Sequence, residues 1–237
     1  VRELEPQLSE EICHGVLFPD TAHTADPYRL TRTLADFFVS NGGTFLQQEV
    51  RGMKTVANGV ELYLQGQRLQ TPKLVLTTGA WSRDFVKQLT GTSVPLDTER
   101  GYHLMLPNAA DQLRIPVTSA DRKFIMTPMT EGLRLAGTVE FGGLQKAANM
   151  QRAKMLSTHA EALLPDLDET PGDSWMGLRP SLPDSLPVID RVGEQGQVLL
   201  AFGHQHLGLT QAAITAEMIV GMLGNTAPDI DLNPYRL

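Results

Sequence analysis

The sequence lacks the features that mark secreted, membrane-spanning or nucleic-acid-binding chains. Its 237 residues include one cysteine, Cys13, so no internal disulfide framework can form. The longest apolar runs, such as residues 199–202, have the length of a strand and fall far short of the ~20 residues that cross a bilayer. The net charge is −7 and no basic block is present, which argues against a nucleic-acid partner. We expect a cytoplasmic location, or one peripheral to the inner face of a bacterial membrane.

The composition that remains, 41% hydrophobic and 20% charged, is typical of a folded globular chain. Asp26 and Pro27 form a helix start, since Asp is a favoured N-cap and Pro is tolerated at the first helical position. Gly42 and Gly43 end that helix. Four helices are predicted in all, at residues 26–42, 80–89, 147–164 and 208–223. A break at Gly224-Asn225 and coil over 227–237 follow.

Strand signals outnumber helix signals. The dipeptide Asn58-Gly59 predicts a tight hairpin between apolar runs, and a turn at Gly66 extends it to a small meander. Strands are predicted at residues 15–19, 44–50, 53–56, 60–64, from 69, and at 73–78, 99–106, 123–129, 133–138, 174–179 and 197–203. Residues 179–187 read as a rigid proline-rich loop. The pattern indicates an α+β fold with a mixed, largely antiparallel sheet.

Two segments have the form of a strand, a glycine and a helix. In the first, Gly79 follows the strand at 73–78; it would let a ligand approach the backbone, and the next helix would offer free N–H groups to a pyrophosphate. In the second, Gly203 and Gly208 bracket a turn carrying His204 and His206. A plain strand–turn–helix junction explains the first segment equally well. A metal is not favoured at the second, because the other histidines have no ligand spacing to this pair.

A third segment carries Arg179 at the end of a predicted strand, fixed by Pro180. A rigid guanidinium is the natural bidentate partner of a carboxylate. The alternative is a structural arginine paired with an acidic neighbour such as Asp184.

Taken in order, these segments resemble the FAD-dependent oxidoreductases of the D-amino-acid oxidase family. Gly79-Ala-Trp-Ser resembles the family's GAWS turn, Gly177-Leu-Arg-Pro with the prolines that follow resembles its GLRPxTPDGLP segment, and the stretch from Gly203 to Gly208 resembles its flavin loop. The resemblance covers nearly the whole chain, and the D-amino-acid and D-hydroxyproline dehydrogenase branch is the most similar. Leu182 and Ser185 stand where the family has Thr and Gly.

The resemblance implies a role for each matching position. Non-covalent FAD is implied, because Cys13 does not match the cysteine of covalent-flavin relatives. The implied FAD contacts are Val50, Thr78, Gly79, Trp81, Gly203, His204, Gln205, His206, Leu207, Gly208 and Leu209. Arg179 would bind the substrate carboxylate. Phe124 stands where glycine-oxidase-like members have a tyrosine, so the substrate set implied is Arg179, Phe124 and Tyr102, with Arg179, Tyr102 and His103 as catalytic residues. The alternative for Tyr102 is a packed strand aromatic.

The domain plan also follows from the resemblance. Residues 1–82 and 175–237 would be the remaining parts of a Rossmann-like FAD-binding domain, with part of the substrate domain at 1–25, and residues 83–174 would be the substrate-binding domain. The family's G-x-G-x-x-G does not occur in this sequence. We therefore expect a C-terminal fragment of a longer enzyme.

The implied activity is oxidation of a small amine or D-amino acid by hydride transfer to flavin. His103 or His206 would help to deprotonate the substrate ammonium, and the electron acceptor would be oxygen or a respiratory chain. The alternative is a non-catalytic fragment that cannot hold FAD alone. A carboxylate-binding or tRNA-modifying relative would need a basic surface, which this acidic chain lacks.

Overall fold

A computed structural model describes residues 1–224, 226 and 230–237. The predicted break at Asn225 and the coil over 227–229 lie outside the described residues. The helices are α1 Pro27–Ser40, α2 Ser82–Thr90, α3 Gln151–Glu161 and α4 Gly208–Leu223. The strands are β1 Val50–Val56, β2 Gly59–Leu64, β3 Arg68–Thr71, β4 Leu74–Leu76, β5 Asp97–Leu106, β6 Val117–Ser119, β7 Phe124–Met129, β8 Gly132–Phe141, β9 Ser174–Ser181, β10 Val188–Val192 and β11 Val198–Phe202. In this part of the chain no helix is long and apolar enough to cross a membrane.

The chain divides into two compact units. The first unit comprises residues 1–45, 101–140 and 147–177. Its core joins the apolar side of α3 to alternate residues of the neighbouring strands, as expected where one face of a sheet is covered by a helix. The main members are Leu104, Leu106, Phe124, Met126, Leu133, Leu135, Leu156 and Leu164.

The second unit comprises residues 46–100, 141–146 and 178–237. It contains the antiparallel meander β1-β2-β3 and a three-stranded sheet of order β10-β11-β4, in which β11 and β4 are parallel. Residues of both sheets and of α2 share one core, which includes Met53, Val60, Leu76, Val86, Val198, Leu200 and Phe202. A further sheet has the order β6-β7-β8-β5-β9, and the chain passes between the units within β5, β8 and β9.

The α+β class is confirmed, and so are the elements with strong local signals. Asp26 caps α1 through its Oδ1, which accepts a hydrogen bond from the N–H of Arg29 at 2.7 Å. The Asn58-Gly59 hairpin is present, with Val56 opposite Gly59. Helix α4 has the predicted bounds, and α3 is shorter than predicted because it begins at Gln151 and ends at Glu161.

Two predicted strands are wrong, and two real ones were missed. Residues 15–19 and 44–49 do not form strands, because no described strand pairs with them and the backbone bonds of Phe18 and Leu46 are local. Strand β6 is only three residues long, and β10 follows directly on the stretch that was predicted as loop. Pairing with β11 along its whole length makes β10 a strand.

The units do not follow the predicted domain boundaries. Residues 26–45 belong to the first unit, where the backbone N–H of Thr130 donates to the carbonyl of Ala25 at 3.0 Å. Residues 83–100 belong to the second, because Val86 and Leu89 of α2 lie in its core. Whether the units divide into cofactor and substrate domains stays a prediction.

Candidate functional site

Two adjacent parallel strands of the second unit are each followed by a glycine within three residues. Strand β4 pairs with β11 up to Leu76 opposite Leu200, and Gly79 and Gly203 each come three residues after that pair in their own segment. Both glycines have a positive φ, 54° and 88°, and a helix follows each of them. Ligands of open α/β sheets bind outside the carboxyl ends of parallel strands, where backbone N–H groups point outward. This edge of the sheet is the candidate ligand site.

The two glycines are required for different reasons. A Cβ on Gly203 would lie 2.7 Å from Cδ1 of Leu182, so a larger residue would have to displace that side chain in addition to adopting a positive φ. A Cβ on Gly79 would meet no protein atom within 4 Å, so only its backbone conformation favours glycine and the space beside it is open. Gly79 therefore leaves room for a ligand to approach the backbone.

The loop after Gly203 is held against the end of β9. Gln205 has a φ of 50°, an uncommon conformation for a residue with a side chain. Its backbone N–H donates to the carbonyl of Pro180 at 3.0 Å. Because Pro180 directly follows Arg179, this bond brings the predicted flavin loop and the predicted carboxylate ligand together.

Helix α4 begins at this loop with free backbone donors. Its N-cap is Leu207, which supplies no side-chain hydrogen bond to the first turn. Leu207 and Leu209 are both exposed and present apolar side chains beside those donors. A helix N-terminus favours negative charge, so this end of α4 suits a flat apolar group with an anionic edge.

The segment after β4 has a similar form. A short 3₁₀ turn, Gly79–Trp81, leads into α2, and the Thr78 and Ser82 hydroxyls are 2.9 Å apart. Trp81 is 56% exposed, which is unusual for an indole. Val50, the other predicted contact, begins β1 and packs against the core of the second unit.

The two loop histidines have different surroundings. His204 Nε2 lies 3.0 Å from the hydroxyl of Thr215 on α4, and burial lowers the pKa of His204. The contact between His204 and Thr215 fixes the loop to the helix. His206 is exposed. The described residues contain no cluster of three His, Cys, Asp or Glu side chains that could hold a metal.

Arg179 is a half-buried arginine for which the described residues supply no partner. Within residues 1–224, 226 and 230–237 its guanidinium makes no hydrogen bond and no ion pair. The alternative pairing with Asp184 is not found, since Asp184 Oδ1 accepts from the backbone N–H of Leu186 at 3.1 Å. A partly desolvated guanidinium needs hydrogen-bond acceptors, and a ligand carboxylate supplies two.

Tyr102 and Phe124, which the sequence suggested for the substrate, are buried inside the first unit. Tyr102 is 1% exposed; its hydroxyl donates to Glu140 Oε2 at 2.5 Å and accepts from the N–H of Asn149 at 3.1 Å. Phe124 is 3% exposed within the apolar core. Both side chains are enclosed by protein atoms, which favours the packed strand aromatic for Tyr102, and the substrate and catalytic roles of these residues stay predictions.

His103 lies in a row of side chains that crosses three strands of the first unit. Arg134 Nε donates to His103 Nδ1 at 3.3 Å, and the imidazole stacks on the indole of Trp175. Burial, and secondarily the charge of Arg134, lower the pKa of His103 to about 4. A neutral imidazole with that pKa is a poor proton acceptor. Sequence reasoning missed Arg134, Glu140 and Trp175, because no local signal identifies their cross-strand partners.

Comparison with known proteins agrees with these features. The family model described as FAD dependent oxidoreductase matches residues 1–222. The chain belongs to this family. It is 31% identical over 240 residues to a D-amino-acid oxidase of Bradyrhizobium diazoefficiens, covering 99% of this chain and 57% of that protein. It is also 31% identical over 235 residues to a glycine oxidase of Pseudomonas aeruginosa, covering 97% of this chain and 64% of that protein.

The fold of this family member is that of a solved flavoenzyme. The structure of glycine oxidase from Geobacillus kaustophilus superposes on the whole chain and on 64% of its own length, with a TM-score of 0.87 at 23% sequence identity. The chain thus spans somewhat more than half of the length of the relatives that it matches. The open backbone at Gly79 and the uncapped start of α4 fit a flavin nucleotide, the cofactor after which the family is named.

Proposed function

We propose that the protein carrying this chain oxidises a small amine or D-amino acid with non-covalent FAD, and that Arg179 binds the substrate carboxylate. The observation that supports this proposal is the half-buried guanidinium of Arg179, which has no partner in residues 1–224, 226 and 230–237 and lies one residue from the carbonyl that accepts from Gln205. An amino-acid carboxylate would satisfy it through two parallel hydrogen bonds. The related D-amino-acid oxidase and glycine oxidase support an amino-acid substrate.

The residues of the second unit would hold FAD between its two glycine-ended strands. Thr78 and Gly79 offer backbone to the nucleotide, and Gly203 to Leu209 form the loop beside the ring system. The first N–H groups of α4 would stabilise negative charge on the ring, and Leu207 and Leu209 would exclude water from it. Bound flavin supplies the hydride acceptor for the substrate α-hydrogen.

The role of this chain in the chemistry is orientation. Arg179 would fix the carboxylate, which leaves the α-carbon and the amine as the groups that can turn toward the ring. His103 is a weak candidate for accepting the ammonium proton, because its pKa is about 4 and its Nδ1 already accepts from Arg134. Exposed His206 remains the better candidate. The acceptor of the electrons would be oxygen or a respiratory chain.

A second candidate is a chain that recognises substrate but does not hold FAD by itself. The observation favouring it is that no G-x-G-x-x-G occurs in the sequence while the relatives are longer. An absorbance scan of the purified chain, with and without added FAD, separates the two candidates. Flavin bands that co-purify or shift on FAD addition, followed by turnover in a D-amino-acid and D-hydroxyproline panel, support the oxidoreductase. A colourless protein that ignores FAD supports the second candidate.

A further inference from the structure

The loop between β11 and α4 is folded back onto the helix that follows it. His204 comes before the helix, which begins at Gly208, and its Nε2 lies 3.0 Å from the hydroxyl of Thr215 inside the helix. At 1.5 Å per residue, the stretch from Gly208 to Thr215 corresponds to about 10 Å along the helix axis. The imidazole of His204 therefore reaches past the first turn of α4 and ties the loop to the body of the helix.

The hydroxyl of Thr215 uses this contact in place of the usual one. Threonine in a helix commonly donates to the carbonyl one turn earlier. Thr215 is only 8% exposed, and among residues 1–224, 226 and 230–237 the hydroxyl finds its hydrogen-bond partner in His204. A buried hydroxyl is destabilising unless it is hydrogen-bonded, so the fold favours the arrangement in which His204 stays on Thr215.

This contact adjoins a strained stretch of backbone. Gly203 has a φ of 88°, and Gln205 has a φ of 50°, so a positive φ stands on each side of His204. A residue with a side chain keeps such a conformation only where its surroundings hold it. Two interactions do so, the contact of His204 with Thr215 and the hydrogen bond from the N–H of Gln205 to the carbonyl of Pro180.

The position of His204 sets the direction of the donors that follow. The N–H of Leu207 donates to the carbonyl of His204 at 2.9 Å, and the N–H of Gln211 donates to the carbonyl of Leu207 at 2.9 Å. The loop therefore continues into the first turn of α4 through consecutive hydrogen bonds. Donors that are fixed in direction before a charge appears stabilise it without reorganising. Anchoring His204 thus preorganises the free N–H groups of this turn.

We propose that Thr215 is a positioning residue of the cofactor site, and that its hydroxyl acts through His204 to hold the loop and the first turn of α4 in the conformation that stabilises negative charge on the flavin ring. This inference rests on the proposed function and deepens it. Thr215 is buried behind the loop, so it acts without contacting the cofactor itself.

The first test follows the flavin of the FAD-loaded protein rather than its turnover. Thr215→Val keeps the branched shape and removes the hydroxyl. Its Kd for FAD should rise about threefold, and its two-electron reduction potential should fall by about 30 mV, which equals a tenfold greater loss of affinity for the charged, reduced flavin. Thr215→Ser, which keeps a hydroxyl, should restore both values. Thr127→Val, at an equally buried threonine of β7, should change neither. Parent values in Thr215→Val would overturn the inference.

A double-mutant cycle tests whether Thr215 acts through His204. If it does, Thr215→Val should lower the reduction potential no further in a His204→Ala background, because the contact is already lost there. A second fall of about 30 mV in that background would mean that the two residues act independently, and the inference would fail.

Hydrogen exchange of the chain without FAD separates this inference from the proposed function. The N–H groups of Gln205 and Leu207 should exchange about tenfold faster in Thr215→Val, and at the parent rate in Thr127→Val. Unchanged exchange, or faster exchange with an unchanged potential, overturns the inference even if amino acids are turned over. Faster exchange with the lower potential, in a protein that turns over no amino acid, supports the role of Thr215 and counts against the proposed oxidation. A protein that binds no FAD contradicts both.

Discussion

Two arginines in the second unit show how the same side chain can serve the fold or a ligand. Arg100 on β5 is fully buried; its Nε and Nη2 donate to the carbonyl of Gly143 at 2.9 and 2.7 Å, and Nη2 also donates to that of Lys146 at 2.6 Å. Arg179 on β9 is half-buried and has no partner among the described residues. The first guanidinium ties a loop to a strand, and the second has its donors available.

This difference shows what separates a structural side chain from a ligand-binding one. The deciding property is whether its hydrogen-bond donors are already used within the protein, rather than its residue type or its burial. Tyr102 resembles Arg100 in this respect, because both hydrogen-bonding capacities of its hydroxyl are used inside the first unit. A side chain of this kind affects stability when it is changed. A side chain like Arg179 should affect ligand binding and leave stability nearly unaltered.

The largest expected effect follows from changing Arg179. Arg179→Gln should lower kcat/KM for amino-acid substrates by about 10²–10³-fold, or about 3–4 kcal/mol, since a carboxylate loses its bidentate, charge-assisted partner. Steady-state kinetics in the FAD-loaded protein measure this loss. Urea unfolding of the same variant is the control and should agree with the parent chain within about 0.5 kcal/mol. A large loss of stability would mean that Arg179, like Arg100, stabilises the fold.

Arg100→Met should have the opposite profile. The free energy of unfolding should fall by about 2–4 kcal/mol, because charge-assisted hydrogen bonds to Gly143 and Lys146 are lost while the apolar stem is kept. Urea denaturation measures the change, with Arg179→Met as the matched control. If both variants unfold at the same urea concentration, the comparison between the two arginines is wrong.

Tyr102→Phe extends the comparison to the first unit. Removing the hydroxyl takes one hydrogen bond from the buried Glu140 carboxylate and one from the N–H of the exposed Asn149, and we expect a loss of about 1–3 kcal/mol. Tyr28→Phe is the control, because that hydroxyl is exposed on α1. Thermal or urea unfolding shows the difference. Equal stability of the two variants would mean that water replaces the hydroxyl of Tyr102.

His103 should add a pH dependence to stability. The pKa of His103 is about 4 in the folded chain and near 6.5 when unfolded, so the unfolded state binds the extra proton first. The stability that the neutral imidazole of His103 contributes is fully present above pH 6.5 and is lost as the pH falls toward 4. Because the ring is partly solvated, we expect about 1–2 kcal/mol. The slope of unfolding free energy against pH should flatten in His103→Phe; an unchanged slope would contradict the lowered pKa.

The smallest expected effect is a gain of stability at Ser185. Ser185 has a φ of 65° in the loop after β9, a conformation that costs a residue with a Cβ about 1 kcal/mol relative to glycine. Ser185→Gly should therefore stabilise the chain by about 0.5–1 kcal/mol, less the entropy that glycine adds to the unfolded state. Ser185→Ala keeps the Cβ and should give no gain. Differential scanning calorimetry of the two variants decides.

The sequence by itself determined the features whose causes are local. Asp26 and Pro27 start α1, Asn58-Gly59 closes the hairpin, and Gly79 and Gly203 mark the turns after β4 and β11, because each depends on the conformational preferences of a few adjacent residues. The order of the glycine, arginine and histidine segments also determined the family. Each of these signals lies within a stretch of about ten residues.

Only the tertiary structure decided which side chains are available to a ligand. Phe124 is buried in the core that α3 completes, and Tyr102 is buried against Glu140, so neither side chain is open to a ligand in this structure. Strand β10 exists through its pairing with β11, and Trp175 is held by His103 from another strand. The physical reason is that hydrogen-bond partners and neighbours distant in sequence leave no periodic or compositional trace at the residue they control.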